Sequence, residues 1–205
     1  MRSLYAWTAL ALVIAMLGGL AAFIFTNRSA ELASCSQSTI ATGAGSIGGP
    51  FELVDETGRT VTDADVITEP TLVYFGYTFC PDVCPLDTAR NAEAVDILTE
   101  RGMSVTPVFI SIDPERDTPR IVGEFAYNLH EKMIGLTGSP EQVDAASKAY
   151  RTYYKAHDKS DEFYLVDHST FSYLVLPEHG FVEFFRRDVS ADVMADRVAC
   201  FVENA

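Results

Sequence analysis

Basic residues are scarce in this chain of 205 residues. It has 15 Lys and Arg against 29 Asp and Glu, which gives a formal net charge of −14 at pH 7. Such a surface repels phosphate backbones, so the composition argues against nucleic-acid binding. A basic docking partner stays open, but a solvated acidic surface is the simpler explanation of the charge. Apolar residues make up 48% of the chain, so it has the material for a core, and no internal repeat is visible.

Long hydrophobic runs are also lacking, with one exception near the N-terminus. Residues 6–25 contain no charged side chain, and twenty helical residues cross a bilayer core of about 30 Å. This run is longer than the apolar part of a cleaved signal peptide, which is about 7–15 residues. Leu32-Ala33-Ser34-Cys35 resembles a lipoprotein signal, but polar residues separate it from the run. We therefore predict an uncleaved transmembrane helix within residues 1–28.

Two further segments follow this predicted anchor. Residues 36–50 are rich in Ser, Thr and Gly and show no apolar periodicity, which is typical of a flexible connection. We predict a tether over residues 29–50 and one folded domain over residues 51–205.

Strand and helix patterns alternate along this domain, which predicts an α/β fold with a mixed sheet flanked by helices. A turn signal at 56–58 predicts a first hairpin, and Asp117 and Ser139 are expected to be helix N-caps. The helix after Ser139 should bury Val143, Ala146, Tyr150 and Tyr153 on one face. The other expected elements are strands Thr71–Gly76, Thr106–Ile112, Phe163–Val166, Phe171–Leu176 and Phe181–Phe185, and helices over 85–100 and after Ser190.

Cysteine is rare, and two of the four cysteines, Cys80 and Cys84, lie where a strand pattern gives way to a helix pattern. A helix N-terminus lowers thiol pKa values and favours the thiolate. Residues four apart on a helix have Cβ atoms about 5–6 Å apart, whereas a disulfide needs about 3.5–4.5 Å. The spacing therefore favours chelation of a soft metal. Pro85 allows an irregular turn at this point, so reversible disulfide formation stays open.

Two thiolates suit Cu(I) but seldom complete a site, so a third ligand is needed. Histidine is equally rare, with four in the chain. His168 lies in a polar segment between two apolar strand patterns. A metal ligand and a hydrogen-bonded loop residue are both consistent with that position. His130, His157 and His179 are expected to be structural or solvated.

Three segments resemble the Sco/SenC family of copper-binding, thioredoxin-like proteins, which are linked to cytochrome c oxidase assembly. They are YFGYTFCPDVCP (74–85), ISIDPERDTP (110–119) and DHSTFSYLVLP (167–177). The resemblance implies a thioredoxin-like fold and a site that binds one copper ion, Cu(I) or Cu(II). Its metal ligands would be Cys80, Cys84 and His168.

The resemblance also implies a function. The chain would be a copper metallochaperone that takes copper from an upstream donor and delivers it to the copper-A centre of cytochrome c oxidase subunit II. It would be a single-pass protein of a bacterial inner membrane, with the soluble domain in the periplasm. A homodimer stays open.

Two enzymatic alternatives use the same cysteines. A thiol–disulfide reductase would keep the cysteines of the oxidase subunit reduced and would not need His168. A thiol peroxidase would need an arginine beside its reactive cysteine, and no arginine lies close to Cys80 in the sequence.

The acidic residues near the motifs are interpreted as structural. Asp113, Glu115 and Asp117 come from a single loop, which supplies too few ligands for a hard cation. Asp82 is expected to be an acid of the first helical turn, which at most supports the site and does not bind metal.

The remaining cysteines are Cys35, in the predicted tether, and Cys200, in the last predicted helix. Two exposed free thiols are unfavourable in an oxidising compartment. We therefore predict a Cys35–Cys200 disulfide that fixes the tether to the domain.

Overall fold

The computed structural model describes residues 15–19, 32–36 and 47–205. Of the predicted membrane span, only residues 15–19 are described, and they are helical. The rest of that prediction and most of the predicted tether lie outside the described residues. Among the described residues, no helix has both the length and the hydropathy to cross a membrane.

Within residues 47–205, nine strands and five helices follow one another. The strands are β1 (Glu52–Asp55), β2 (Thr60–Thr62), β3 (Thr71–Gly76), β4 (Thr106–Ser111), β5 (Ile134–Thr137), β6 (Tyr154–Ala156), β7 (Val166–His168), β8 (Ser172–Leu176) and β9 (Gly180–Phe185). The helices are α1 (Asp63–Val66), α2 (Val83–Glu100), α3 (Pro119–Leu129), α4 (Pro140–Ala149) and α5 (Ala191–Asn204).

Seven strands form one mixed sheet in the order β2-β1-β5-β4-β3-β8-β9. Strand β3 lies between β4, to which it is parallel, and β8, to which it is antiparallel. All six residues of β3 are buried. A continuous apolar run of this kind is expected for a strand covered on both faces. Strands β6 and β7 form a separate two-stranded sheet.

Each face of the large sheet has its own apolar core. Helix α4 covers one face, where Phe75 contacts Tyr150 just beyond the end of that helix. Helices α2, α3 and α5 cover the opposite face, where Phe109, Leu72 and Leu174 are buried. This arrangement confirms the predicted mixed sheet flanked by helices. It also places the start of α2 beside the carboxyl end of β3.

Several local predictions are confirmed. The first hairpin turns at Gly58, which has a φ of 83°. Ser139 caps α4 with the reciprocal hydrogen bonds of a capping box, and Ser190 caps α5. Helix α2 begins two residues before Pro85, which is tolerated because amide groups in a first turn lack helical partners.

Three local predictions are wrong. Thr118, and not Asp117, is the N-cap of α3, since the Asp117 side chain hydrogen-bonds elsewhere. Helix α4 ends at Ala149, so Tyr153 lies beyond it and is 58% exposed. The strand expected over Phe163–Val166 begins only at Val166. The short strands β5 and β6 were not predicted.

Candidate metal site

The two cysteines lie at the junction of β3 and α2. Cys84 is in the first turn of α2 and is fully buried, and Cys80 in the preceding loop is 8% exposed. The backbone N–H of Cys84 donates to the Cys80 sulfur at 3.3 Å, and both thiols are free. Gly76 makes this arrangement possible, because a Cβ at that position would lie 3.0 Å from the Cys84 sulfur.

His168 reaches the cysteines from the end of β7. Its Nε2 lies 3.2 Å from the Cys84 sulfur, although 84 positions separate the two residues. The Nδ1 atom lies 2.8 Å from the carbonyl oxygen of Ser169. Since a carbonyl can only accept, Nδ1 carries the proton and Nε2 offers its lone pair to the site. The rings of Tyr74 and Tyr77 stand edge-on to the imidazole.

The ligand atoms of Cys80, Cys84 and His168 all lie within 4.8 Å of one another. In the part of the chain that the structure describes, they are the one group of three or more side chains able to share a metal ion. Two thiolates with one imidazole are a soft to intermediate donor set, which fits a copper ion. The structure thus brings together the three predicted ligands; their binding of metal stays a prediction.

The two thiols differ in acidity. The hydrogen bond from the Cys84 side chain lowers the pKa of Cys80 to about 3, against the opposing effect of burial. The backbone N–H groups of Asp82 and Cys84 act in the same direction as this bond. The same hydrogen bond and burial raise the pKa of Cys84. Cys80 is therefore the thiolate at neutral pH, and a metal ion must displace the proton of Cys84.

A buried carboxylate that sequence reasoning missed lies behind the site. Asp87 is 3% exposed and accepts a 3.1 Å hydrogen bond from the hydroxyl of Tyr74. Burial raises the pKa of Asp87, while the nearby Arg90 and Arg187 favour its charged form. An acid in the second turn of a helix usually faces solvent, so nothing in the local sequence indicates this role.

The acids of the 110–119 segment bind side chains of the protein. Asp117 is fully buried and accepts hydrogen bonds from Thr78 and Ser111. Asp113 accepts hydrogen bonds from Arg116 and Tyr164. These contacts are consistent with the prediction that Asp113 and Asp117 have structural roles.

Asp82 is exposed, and its side chain makes no capping hydrogen bond at the start of α2.

Two other predictions concern residues away from the site. The Cys35–Cys200 disulfide is confirmed, with 5.8 Å between the Cα atoms. His130 and His157 lie within 3.2 Å of Asp96 and Asp167, respectively, and His179 is exposed in the β8–β9 turn. None of these three histidines belongs to the metal-ligating group.

Comparison with known proteins identifies the family. The family model described as SCO1/SenC matches residues 40–203. The chain belongs to the SCO1/SenC family. Among curated SCO1/SenC proteins, "Protein SenC" of Rhodobacter capsulatus is 53% identical over 199 residues, which cover 97% of this chain and 90% of that protein.

Solved structures of SCO1/SenC relatives share the fold. ScoI of Arabidopsis thaliana with copper bound is 42% identical, with a TM-score of 0.74 over 78% of this chain and 100% of that one. ScoI of Bradyrhizobium japonicum with copper bound is 35% identical, with a TM-score of 0.69 over 76% of this chain and 99% of that one. The domain therefore has the thioredoxin-like fold of the SCO1/SenC family.

Proposed function

We propose that this protein is a copper metallochaperone that receives one copper ion from an upstream donor and delivers it to the copper-A centre of cytochrome c oxidase subunit II. The observation that carries the proposal is the approach of His168 Nε2 to within 3.2 Å of the Cys84 sulfur. This contact brings an imidazole nitrogen beside the two thiols, so that one copper ion could bind all three side chains. The copper-bound structures of two relatives support copper as the ion.

The three ligands would have different parts in this transfer. His168 is half-buried and Cys80, the thiolate, is 8% exposed, so these two are the more accessible ligands, whereas Cys84 is fully buried. An incoming donor would exchange copper with the accessible pair first, and Cys84 would then lose its proton and complete the site. Release would rise as pH falls, since all three ligands bind only when deprotonated.

The proposal includes a location. Residues 6–25 would anchor the chain in a bacterial inner membrane, with the domain on the periplasmic side. The Cys35–Cys200 disulfide supports an oxidising compartment, because such bonds rarely persist in a reducing cytosol.

An anaerobic Cu(I) titration tests the ligand set. The full chain should bind one copper ion, and His168→Ala should weaken the affinity by at least about tenfold, since even the loss of outer hydrogen-bond partners costs 10–100-fold. His179→Ala is the matched control and should leave the affinity unchanged. Equal affinity in the wild type and His168→Ala would contradict the three-ligand site.

A second function, thiol–disulfide reduction of the oxidase subunit, is favoured by one observation. The low pKa of Cys80 makes it a thiolate beside a second free thiol, as a reductase requires. Copper-free wild type and His168→Ala should then reduce an oxidised subunit II domain at similar rates. Reduction by neither protein would exclude this function and leave copper transfer intact.

A further inference from the structure

The strands that carry His168 are separate from the main sheet. Residues 153–169, which we call the histidine arm, contain β6 and β7, and these two strands pair only with each other. The base of the arm is closed by hydrogen bonds between Tyr153 and Ser169 at 2.9 and 3.0 Å. The position of His168 therefore depends on what the rest of the arm contacts.

The arm is held by residues of the 110–119 motif, to which the proposed function assigns no part. The hydroxyl of Tyr164 donates to Asp113 Oδ1 at 2.6 Å, and Arg116 Nε donates to Asp113 Oδ2 at 2.5 Å. The guanidinium carbon of Arg116 lies 3.5 Å from the centre of the Tyr164 ring. Asp113 and Tyr164 are 3% and 7% exposed. Buried hydrogen bonds to a charged group are the strong class of such bonds.

The same loop supports the cysteines. Asp117 accepts hydrogen bonds from the backbone N–H of Thr78 at 2.9 Å and from its hydroxyl at 2.5 Å. Thr78 lies two positions before Cys80. Arg116 also lies 4.8 Å from the centre of the Phe79 ring. One loop thus contacts both parts of the chain that supply metal ligands.

We propose that Asp113, Arg116 and Tyr164 form a latch that positions His168 against the cysteine pair, and that opening of this latch leaves copper on the two thiolates for transfer. The inference rests on the proposed copper binding and adds a structural element that would regulate copper release. The three are positioning residues, because they act through the arm and not on the metal.

The contacts of the latch allow Tyr164 to separate from Asp113. Tyr164 is joined to His168 by four positions of chain, and β7 pairs with β6 through only three residue pairs. When the Tyr164 hydroxyl leaves Asp113, Arg116 still neutralises the buried carboxylate. The open state therefore does not leave a buried unpaired charge, which would make it inaccessible.

The test uses Tyr164→Phe, which removes one hydroxyl and keeps the ring against Arg116. Transfer of Cu(I) from the full chain to a chelator should become about tenfold faster, as expected for loss of a hydrogen bond to a charged group. The matched control is Glu115→Gln, which breaks a half-exposed ion pair between the arm and the same loop. It should leave the rate unchanged, because exposed ion pairs contribute little.

A double-mutant cycle shows whether the latch acts through His168. In a His168→Ala background, Tyr164→Phe should have no further effect on transfer. An equal acceleration in both backgrounds, or none in the wild type, would overturn the proposal. A Cu(II) spectrum of Tyr164→Phe in which the nitrogen hyperfine signal weakens would support it.

Hydrogen exchange of the copper-free chain tests the latch apart from copper. The amide of His157 bonds to Leu165 within the arm, and the amide of Val166 bonds to the hydroxyl of Tyr77 in the loop that leads to Cys80. Both amides should exchange faster in Tyr164→Phe than in Glu115→Gln. Equal exchange in the two variants would contradict a latch. Failure of the wild type to bind copper would instead overturn the proposed function, and the exchange result would still decide the latch.

Discussion

The Cys35–Cys200 disulfide allows a quantitative prediction. It joins positions 165 residues apart and so closes nearly the whole folded domain into one loop. The chain-entropy relation gives a stabilisation of about 5 kcal/mol for a loop of this length. For a domain of 150 to 250 residues, each kcal/mol shifts the melting temperature by about 2–4 °C. The double variant Cys35→Ser, Cys200→Ser should therefore melt roughly 10–20 °C below the oxidised wild type.

Near-UV circular dichroism of the full chain in mild detergent measures this difference. A thiol reductant should lower the melting temperature of the wild type towards that of the double variant and leave the double variant unchanged. The control, Cys80→Ser with Cys84→Ser, retains the Cys35–Cys200 disulfide and should still respond to reductant. A double variant that melts within about 2 °C of the oxidised wild type would refute the reasoning.

Three further predictions concern other parts of the domain. Burial alone would raise the pKa of Asp55, but hydrogen bonds from its own turn lower it to about 2. The free energy of unfolding should thus fall as pH drops from about 4 to 2, and urea titrations should show a shallower fall in Asp55→Asn than in the wild type. Gly76→Ala would place a Cβ 2.9–3.0 Å from two aromatic rings and the Cys84 sulfur. The free energy of unfolding, measured by chemical denaturation, should fall by about 1–3 kcal/mol, and copper titrations should show weaker binding. Glu183 and Arg197 form a buried ion pair, so Glu183→Ala would leave the charge of Arg197 without its partner. This variant should lose about 3–5 kcal/mol of the free energy of unfolding, and the double variant Glu183→Ala, Arg197→Met should regain part of that loss in chemical denaturation.

The sequence predicts elements well where the signal is local. Strand β3 has the predicted bounds because six consecutive apolar or β-branched residues are buried on both faces. Asp117 shows the limit of such reasoning. It precedes Thr-Pro as a capping residue would, but its carboxylate binds Thr78, 39 positions away. No local pattern encodes that partner.

The residues of the candidate site likewise differ in whether a local sequence pattern identifies them. The cysteine pair is evident from its spacing at a strand–helix junction, and the residues alone leave His168 open until its segment is compared with a known family. Asp87 and Arg116 could not be identified, because each is a charged residue in a region where solvent exposure is the usual outcome. Their partners, Tyr74 and Tyr164, come close only when the sheet forms.

The position of the disulfide has a consequence for how the domain is presented. Thr71 pairs with Val175 at the amino end of β3, and the C-terminus of α5 lies at that same end, beside Pro70 and Leu176. The proposed copper ligands lie at the other end of the strand, and six strand residues span about 20 Å. The N-terminal segment is therefore fastened at the pole opposite the thiols. Residues 32–36, the described part of the N-terminal segment, thus leave the thiol end of the domain open to a protein that would exchange metal with it.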